Sequence, residues 1–387
     1  MTKSRFHSLW LSFVLLLSSS LALAAQPALI PAPPQIAASS YILMDARSGK
    51  ILVEKNSDES LPPASLTKLM TAYIAERELA DGRIKMDDMV PISVHAWKTG
   101  GSRMFIREGT RVSVEDLLHG IIIQSGNDAS VALAEYIAGS EDAFADIMNQ
   151  QAKLLGMNHT HFVNATGLPH ENHYTSAHDL ALLARAIIED YPDNYAIYAQ
   201  KYFTYNDIRQ PNRNSLLWRD KSVDGLKTGH TEEAGYCLVA SAKRDGMRLI
   251  SVVMGTNSEQ ARAQESQKLL NYGFRYYETR PLYTAGQSLM ESEVWGGKKD
   301  KFSLGVLKDI VVTVPQGSAS QMDSTLDVQS VIEAPVAEGN EYGRLKVTLG
   351  EETIVNQPLV ALEPVEEAGF FKRLWDMIVL FFMQLFA

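Results

Sequence analysis

Apolar residues change their spacing along this chain, and each change predicts a different kind of element. Tyr41-Ile42-Leu43-Met44 and Ile51-Leu52-Val53 are short continuous apolar runs, read as strands, with Asp45 to Lys50 between them as a hairpin connection. A helical period then takes over and predicts helices over 64–79, 113–123, 128–138, 141–155 and 177–190. Two of these have capping signals, Ser113 ahead of Asp116 and Ser176 ahead of Asp179, each a hydroxyl three residues before an acid. After them the period shortens again. Residues 235–242 and 247–254 read as strands joined through Arg244-Asp245-Gly246, a strong hairpin signal, and a helix over 259–277 closes the unit. Strand signals at both ends with helices between them predict a mixed α/β unit whose first and last strands share one sheet. From about Arg280 the texture is that of a small all-β unit, with runs at 310–314, 330–332, 344–347 and 359–362 separated by Gly, Pro, Asn and Asp.

The two ends differ from both units. Lys3 and Arg5 precede a mostly apolar run from Leu9 to Leu17, and Ala22-Leu23-Ala24-Ala25 follows it, so residues 1–24 are expected to be a secretory signal peptide. A membrane-spanning anchor is the alternative, but the run falls short of the roughly 20 apolar residues needed to span. Residues 26–38 are rich in Pro and Ala and read as an extended arm. At the other end, residues 363–369 are acidic and linker-like, and residues 370–387 are strongly apolar. On a helix, Lys372, Arg373, Asp376 and Gln384 fall within one arc of about 120°, which predicts a helix lying in a membrane interface. A terminal helix docked on the protein is the bland alternative.

Composition narrows the classes. With 387 residues, 45% hydrophobic and 21% charged, the chain has room for two folded units and is not a disordered one. Its formal charge of −10, more acidic still once Lys3 and Arg5 are removed, disfavours nucleic-acid binding. A single cysteine, Cys237, excludes an intramolecular disulfide, and its place in an apolar run makes it a packing thiol rather than a nucleophile.

The candidate chemistry starts at Ser65-Leu66-Thr67-Lys68, where a serine and a lysine three residues apart share one side of a helix. A serine hydroxyl is inert at neutral pH until a base takes its proton, and a lysine is such a base only when burial or a neighbouring cation lowers its pKa. Alone the pair is a weak signal and an ordinary helix start explains it. Ser125-Gly126-Asn127 and Lys227-Thr228-Gly229 follow in order, completing a triple signature of serine acyl-transfer enzymes. Ser125 is expected to pass a proton from Lys68 to the leaving amine, and Asn127 to orient Lys68 and hold a substrate carbonyl. Asn127 could equally be a plain helix cap. Lys98-Thr99-Gly100 duplicates the third motif but sits in a glycine-rich stretch without strand pattern, whereas Lys227 leads into the Gly235 hairpin. The later copy is therefore taken as functional, on a strand edge that aligns a peptide substrate, with Gly229 permitting close approach. Lys227 is expected to help keep Lys68 neutral, Thr228 to bind a substrate carboxylate, and the backbone N–H groups of Ser65 and His230 to form an oxyanion hole.

With these motifs, and with Gln124-Ser125-Gly126-Asn127-Asp128-Ala129, the run from Asp224 to Thr231, Asn212-Arg213-Asn214 and the Arg262, Glu265, Ser266 pattern, the chain resembles the low-molecular-mass penicillin-binding proteins that act as D-alanyl-D-alanine carboxypeptidases. The resemblance implies an α/β (α+β) penicillin-binding, β-lactamase-like transpeptidase domain over 26–277, a β-sandwich-like domain over 278–364 and an amphipathic anchor over 368–387. It implies removal of the terminal D-Ala from peptidoglycan pentapeptide stems through an acyl-enzyme at Ser65, covalent inhibition by β-lactams, and a place on the periplasmic face of the inner membrane, held by the C-terminal helix. Arg262 and Arg213 would help hold the terminal carboxylate. No cofactor, no metal and no nucleic acid are implied. One departure is a shortened segment between Trp97 and Met104, which bears on substrate contacts at that side.

The rivals are a β-lactamase, which needs an acid to activate water and has only Glu171 to offer in the loop from Gly167 to Thr175, and a DD-endopeptidase cutting cross-links. His159, His161, His170, His173 and His178 crowd one stretch, but no spacing matches a helical zinc motif. A wall-binding scaffold that lost turnover is disfavoured by the intact Ser65, Lys68 and Lys227.

Overall fold

The computed structural model describes residues 30–386. The expected signal peptide, residues 1–24, lies outside the described residues.

Strand β1 (Ser40–Asp45) pairs antiparallel with β2 (Ile51–Lys55) on one side. On the other it meets the last strand of the same unit, β5 (Met247–Thr256), with Tyr41 opposite Val253. Outward from β5 come β4 (Gly235–Arg244) and then β3 (Val223–Thr231) at the free edge of the five-stranded sheet. The first and last strands thus share one sheet, as expected. Both faces of this sheet are covered, which explains why the β1 run does not alternate. Ile42 and Met44 join Val239, Ile250 and Val252 in the core beneath the helices. Leu43 joins Leu238, Leu249 and Val253 against Leu269 and Leu270 of the closing helix, Glu259–Tyr276, on the opposite face. At the β4–β5 turn, Asp245 and Gly246 have φ of 47° and 85°, both positive, as a tight two-residue hairpin requires.

Helix α1 (Lys68–Ala80) runs through the middle of the helical layer, so it is buried almost all round instead of along one stripe. Glu76 on it is fully buried, neither carboxyl oxygen has a partner among the described residues, and burial pushes its pKa up to about 8. The helix expected over 113–123 is in two parts. Helix α2 (Val114–His119), capped by the Ser113 hydroxyl accepting from Asp116 N at 3.1 Å, opens into a wide turn over Gly120–Gln124. At Gly120 the Met104 side chain occupies the space a Cβ would need, 2.3 Å from it. That turn delivers the chain to Ser125, and α3 (Asn127–Ala138) starts two residues later. Helices α4 (Glu141–Leu154) and α5 (Ala177–Asp190) follow closely on the pattern. Ser176 caps α5 by accepting from Asp179 N, but the Asp179 carboxylate turns away to accept from His159 N at 2.8 Å and the Thr160 hydroxyl at 2.6 Å. It therefore anchors the loop between α4 and α5.

The second unit has its own apolar clusters around Phe302, Leu304 and Leu359 and around Val312, Val314 and Leu345. Its strands form a five-stranded antiparallel sheet and a two-stranded one, the latter pairing Tyr277–Tyr283 with Ile310–Pro315. The expected strands at 344–347 and 359–362 lie within or against Glu341–Leu349 and Glu352–Ala361. The one expected at 330–332 is not a strand. Ile332 is buried, but Pro335 just beyond it has no N–H to donate, and the stretch makes only isolated bridges at Glu333 and Val336. The fully buried Asp45 joins the units by accepting from the Thr279 hydroxyl, and Ser48 Oγ lies 2.6 Å from Thr313 Oγ1.

The terminal helix, Phe370–Phe386, turns its charges toward the β unit: Lys372 Nζ donates to Gly297 O at 2.7 Å, and Asp376 accepts from Gly296 N at 2.9 Å. Its aromatic side faces outward, with Phe371 85% and Trp375 66% exposed. No helix among the described residues is long and apolar enough to cross a membrane.

Candidate active site

Ser65 does not sit in the first turn of an α-helix, as expected, but in a 3-10 turn, Ala64–Thr67, that leads into Lys68 at the start of α1. Ala64, immediately before the serine, has a φ of +47°, a conformation that costs a non-glycine residue on the order of 1 kcal/mol. The turn is wedged on both sides. A Cβ at Gly229 of β3 would lie 3.0 Å from Pro63 O, and one at Gly167 of the facing loop would lie 1.8 Å from Ala64 O. At Gly167 only a glycine fits, and with φ +81° it also needs its freedom to turn, whereas at Gly229 a side chain would press tightly on the turn.

The spacing of the pair places Lys68 Nζ 3.0 Å from Ser65 Oγ. The amine also donates to Thr166 O at 2.5 Å and is 1% exposed. Burial, and after it the Arg213 guanidinium, push its pKa down to about 7, against the opposing charges of Asp128 and Glu141. Arg213 is thus a cation acting on Lys68 that was not foreseen, beside the expected like-charge coupling of Lys68 and Lys227. Lys227 is itself held well below the ordinary lysine range, by burial first and by Lys68 second.

Ser125, left-handed at φ 66°, is 2% exposed and accepts from Lys227 Nζ at 2.8 Å. Its hydrogen-bonding lysine is Lys227, not Lys68. Lys227 lies on β3 opposite Val239, followed by Thr228 and Gly229 opposite Leu238 and Cys237, all on the edge strand beside the serine turn. The duplicate Lys98-Thr99-Gly100 lies at the end of a short helix, Val94–Lys98, and in the loop after it, outside any strand.

Asn127 departs from expectation. Its amide donates to Gly100 O at 2.6 Å and its backbone N–H to Ser102 O at 2.7 Å, so it holds the loop between Trp97 and Met104 and not Lys68. The neighbouring Asp128 carboxylate accepts from Met104 N at 2.8 Å, Phe105 N at 2.9 Å and Ile106 N at 3.2 Å. These bonds fold the loop directly onto the start of α3. Asp128→Ala would leave three backbone donors, two of them buried, without their acceptor and is expected to cost about 2–4 kcal/mol, read as a lowered Tm.

Both candidate arginines reach the site. Arg213 is presented between two asparagines whose side chains donate to backbone carbonyls, Asn212 to Gln200 O at 3.0 Å and Asn214 to Gly225 O at 2.9 Å. Its Nε donates to Gln124 O at 3.2 Å, next to Ser125. Arg262 is 4% exposed and donates to Gly229 O at 3.2 Å from beneath β3; burial lowers its pKa. His230 is exposed, its ring 4.0 Å from that of Tyr236. Among the five crowded histidines only His173 packs into the site, 2.8 Å from Thr67 Oγ1; Glu171 is exposed. Cys237 is buried, with its thiol pushed up to about 11 by burial.

The residues that the motifs did not announce are Thr166, Gly167 and His173. Thr166 acts through its backbone carbonyl, which any residue supplies, so nothing in its side chain could signal it.

Comparison with known proteins adds to this geometry. Residues 27–258 match the family described as D-alanyl-D-alanine carboxypeptidase, and residues 277–367 match the family described as penicillin-binding protein 5, C-terminal domain. The chain is 44% identical over 362 residues to the D-alanyl-D-alanine carboxypeptidase DacC of Escherichia coli, covering 92% of this chain and 90% of the relative. Among solved structures it is similar to penicillin-binding protein 5 from Haemophilus influenzae, with 43% identity, a TM-score of 0.84, and coverage of 87% of this chain and 100% of that one. It is also similar to penicillin-binding protein D2 from Listeria monocytogenes in its ampicillin-bound form, with 31% identity, a TM-score of 0.58, and coverage of 62% of this chain and all of that one.

Proposed function

The chain belongs to the D-alanyl-D-alanine carboxypeptidase family, and on that premise we propose that it is a serine hydrolase removing the terminal D-Ala from peptidoglycan pentapeptide stems through a Ser65 acyl-enzyme. The observation that carries the reading is a buried lysine amine 3.0 Å from a serine hydroxyl, with its pKa brought to about 7. At that value a substantial fraction of Lys68 is neutral near pH 7 and takes the Ser65 proton as Oγ attacks the penultimate carbonyl carbon. The backbone N–H groups of Ser65 and His230 stabilise the tetrahedral oxyanion. Ser125, hydrogen-bonded to Lys227, relays the proton held by Lys68 to the leaving amine, giving its own hydroxyl proton and regaining one from Lys68. The C–N bond breaks, D-Ala departs, and water then cleaves the ester. The substrate aligns along the open edge of β3, with Thr228, Arg262 and Arg213 holding its terminal carboxylate and Asn127 and Gly229 bounding its path. A β-lactam opens on the same serine and leaves an ester with no departing amine.

The rate should rise with pH through about 7, because the base must be unprotonated; below that value it should fall about tenfold per pH unit. Release of D-Ala from a peptide ending in D-Ala-D-Ala, followed across pH 5–9 alongside labelled penicillin, tests both activity and sign. Rapid penicillin turnover without D-Ala release would instead mean a β-lactamase. That alternative is weakened by Glu171, which is exposed, and by the second hydrogen bond of Lys68, which goes to a carbonyl rather than to a carboxylate.

The same proposal assigns residues 26–277 to the catalytic domain, 278–364 to the β domain and 368–387 to a membrane anchor at the periplasmic face of the inner membrane. The outward aromatic side of the terminal helix supports the last assignment, since Trp and Phe partition into the interface while Lys372 and Asp376 remain on the β unit. Truncation after Gly369 is expected to abolish co-sedimentation with phospholipid vesicles and leave D-Ala release from a soluble peptide unchanged.

A further inference from the structure

His173 lies off all three motifs and is hydrogen-bonded to none of Ser65, Lys68, Ser125 or Lys227, yet it is 4% exposed and both ring nitrogens have partners. Val163 N–H donates to Nδ1 at 3.0 Å, so Nδ1 is the bare nitrogen and Nε2 carries the proton. Nε2–H then donates to Thr67 Oγ1 at 2.8 Å, and the Thr67 hydroxyl spends its own proton on Ala64 O at 2.9 Å. The hydrogen bonds run one way, from the backbone of the loop through a neutral imidazole and a hydroxyl to the carbonyl just before the nucleophile. That carbonyl belongs to the one residue of the serine turn held at positive φ. The loop supplying Val163 also supplies Thr166 O to Lys68 and Gly167 against Ala64.

We propose that His173 is a positioning residue for Ser65: acting through Thr67, it locks the strained Ala64 turn and keeps the loop that carries Thr166 O in register with the nucleophile. This inference rests on the Ser65 acyl-enzyme reading. The imidazole is tied at both nitrogens and takes no part in the chemistry. Its work is to hold two segments, remote in sequence, at the spacing in which the Ser65 oxygen and the Lys68 amine meet. Thr67 is the joint, because its single hydroxyl must accept from the ring and donate to the turn at once. A valine of the same shape does neither, and a serine does both.

The test is the acylation of the full chain by a labelled penicillin, separating the initial binding constant from the acylation rate constant, in wild type, His173→Ala, Thr67→Val, Thr67→Ser and the His173→Ala/Thr67→Val double variant. Displacement of the nucleophile is expected to lower the acylation rate constant of His173→Ala and Thr67→Val by tenfold to on the order of 100-fold. The binding constant should change less than about threefold, Thr67→Ser should restore most of the rate, and the double variant should be no slower than the slower single one. If the variants melt lower but acylate at the wild-type rate, or if the two losses multiply in the double variant, the proposal is overturned. Should His173→Ala not fold, the Thr67→Val and Thr67→Ser pair decides alone, a valine that acylates as fast as serine sinking the idea. Wild type that forms no adduct would instead remove the acyl-enzyme reading, and this inference with it.

Discussion

Ser65→Ala should abolish both penicillin labelling and D-Ala release, the latter by at least about 10⁴-fold, while the protein stays folded. The expectation follows from what surrounds the hydroxyl. Lys68 Nζ lies 3.0 Å from this oxygen, and removing it leaves the base with nothing to deprotonate. The side chain is small and partly exposed, so no cavity opens in the core and the Tm should shift little. Intact-mass spectrometry of wild type and variant after incubation with a penicillin, together with an assay for free D-Ala, checks both arms. Residual D-Ala release within tenfold of wild type would place the nucleophile elsewhere.

Lys68→Arg should be nearly as damaging, lowering the acylation rate constant by roughly 10³-fold or more, although the charge drawn in a sequence alignment is the same. The lysine is useful because burial and Arg213 have made its amine easy to discharge. A guanidinium does not release a proton at any pH at which the protein is folded. It is also larger, in a site where the amine is already 2.5 Å from Thr166 O. The pH profile distinguishes this from simple crowding: wild type should gain activity through about pH 7, and the variant should show no such rise. A Lys68→Arg variant that acylates at the wild-type rate would mean that Lys68 is not the base.

Much of this arrangement was legible before any coordinates. The motif spacings, the choice of Lys227 over Lys98, and the shared sheet all follow from residue type and period. Two signals are purely local: a hydroxyl ahead of an acid for the caps, and Asp-Gly for the turn at residue 245. What could not be read shares one physical character. The partner of Asn127 is the backbone carbonyl of Gly100, and carbonyls have no sequence signature. Arg213 acts on Lys68 through space from a segment near neither motif. The strand Met322–Val328 escaped notice because it is a sheet edge with mostly exposed, polar residues, whereas 330–332 looked like a strand because Ile332 is buried for other reasons. Apolar runs report burial, and burial coincides with strand only where a ladder partner is available.

The pairing of β1 with β5 also sets a clock. Tyr41 finds Val253 across more than two hundred residues of intervening chain, and β5 in turn seats β4 and the Lys227 strand. Closing a loop of that length costs about 5 kcal/mol of chain entropy before any contact repays it. The turn carrying Ser65 leans on Gly229 and therefore cannot take its final shape until this late ladder exists. A chain emerging amino terminus first would present its serine and lysine early but remain chemically silent. Hydrolytic competence should arrive all at once, in a slow and concerted last step, after residue 256 is free to pair.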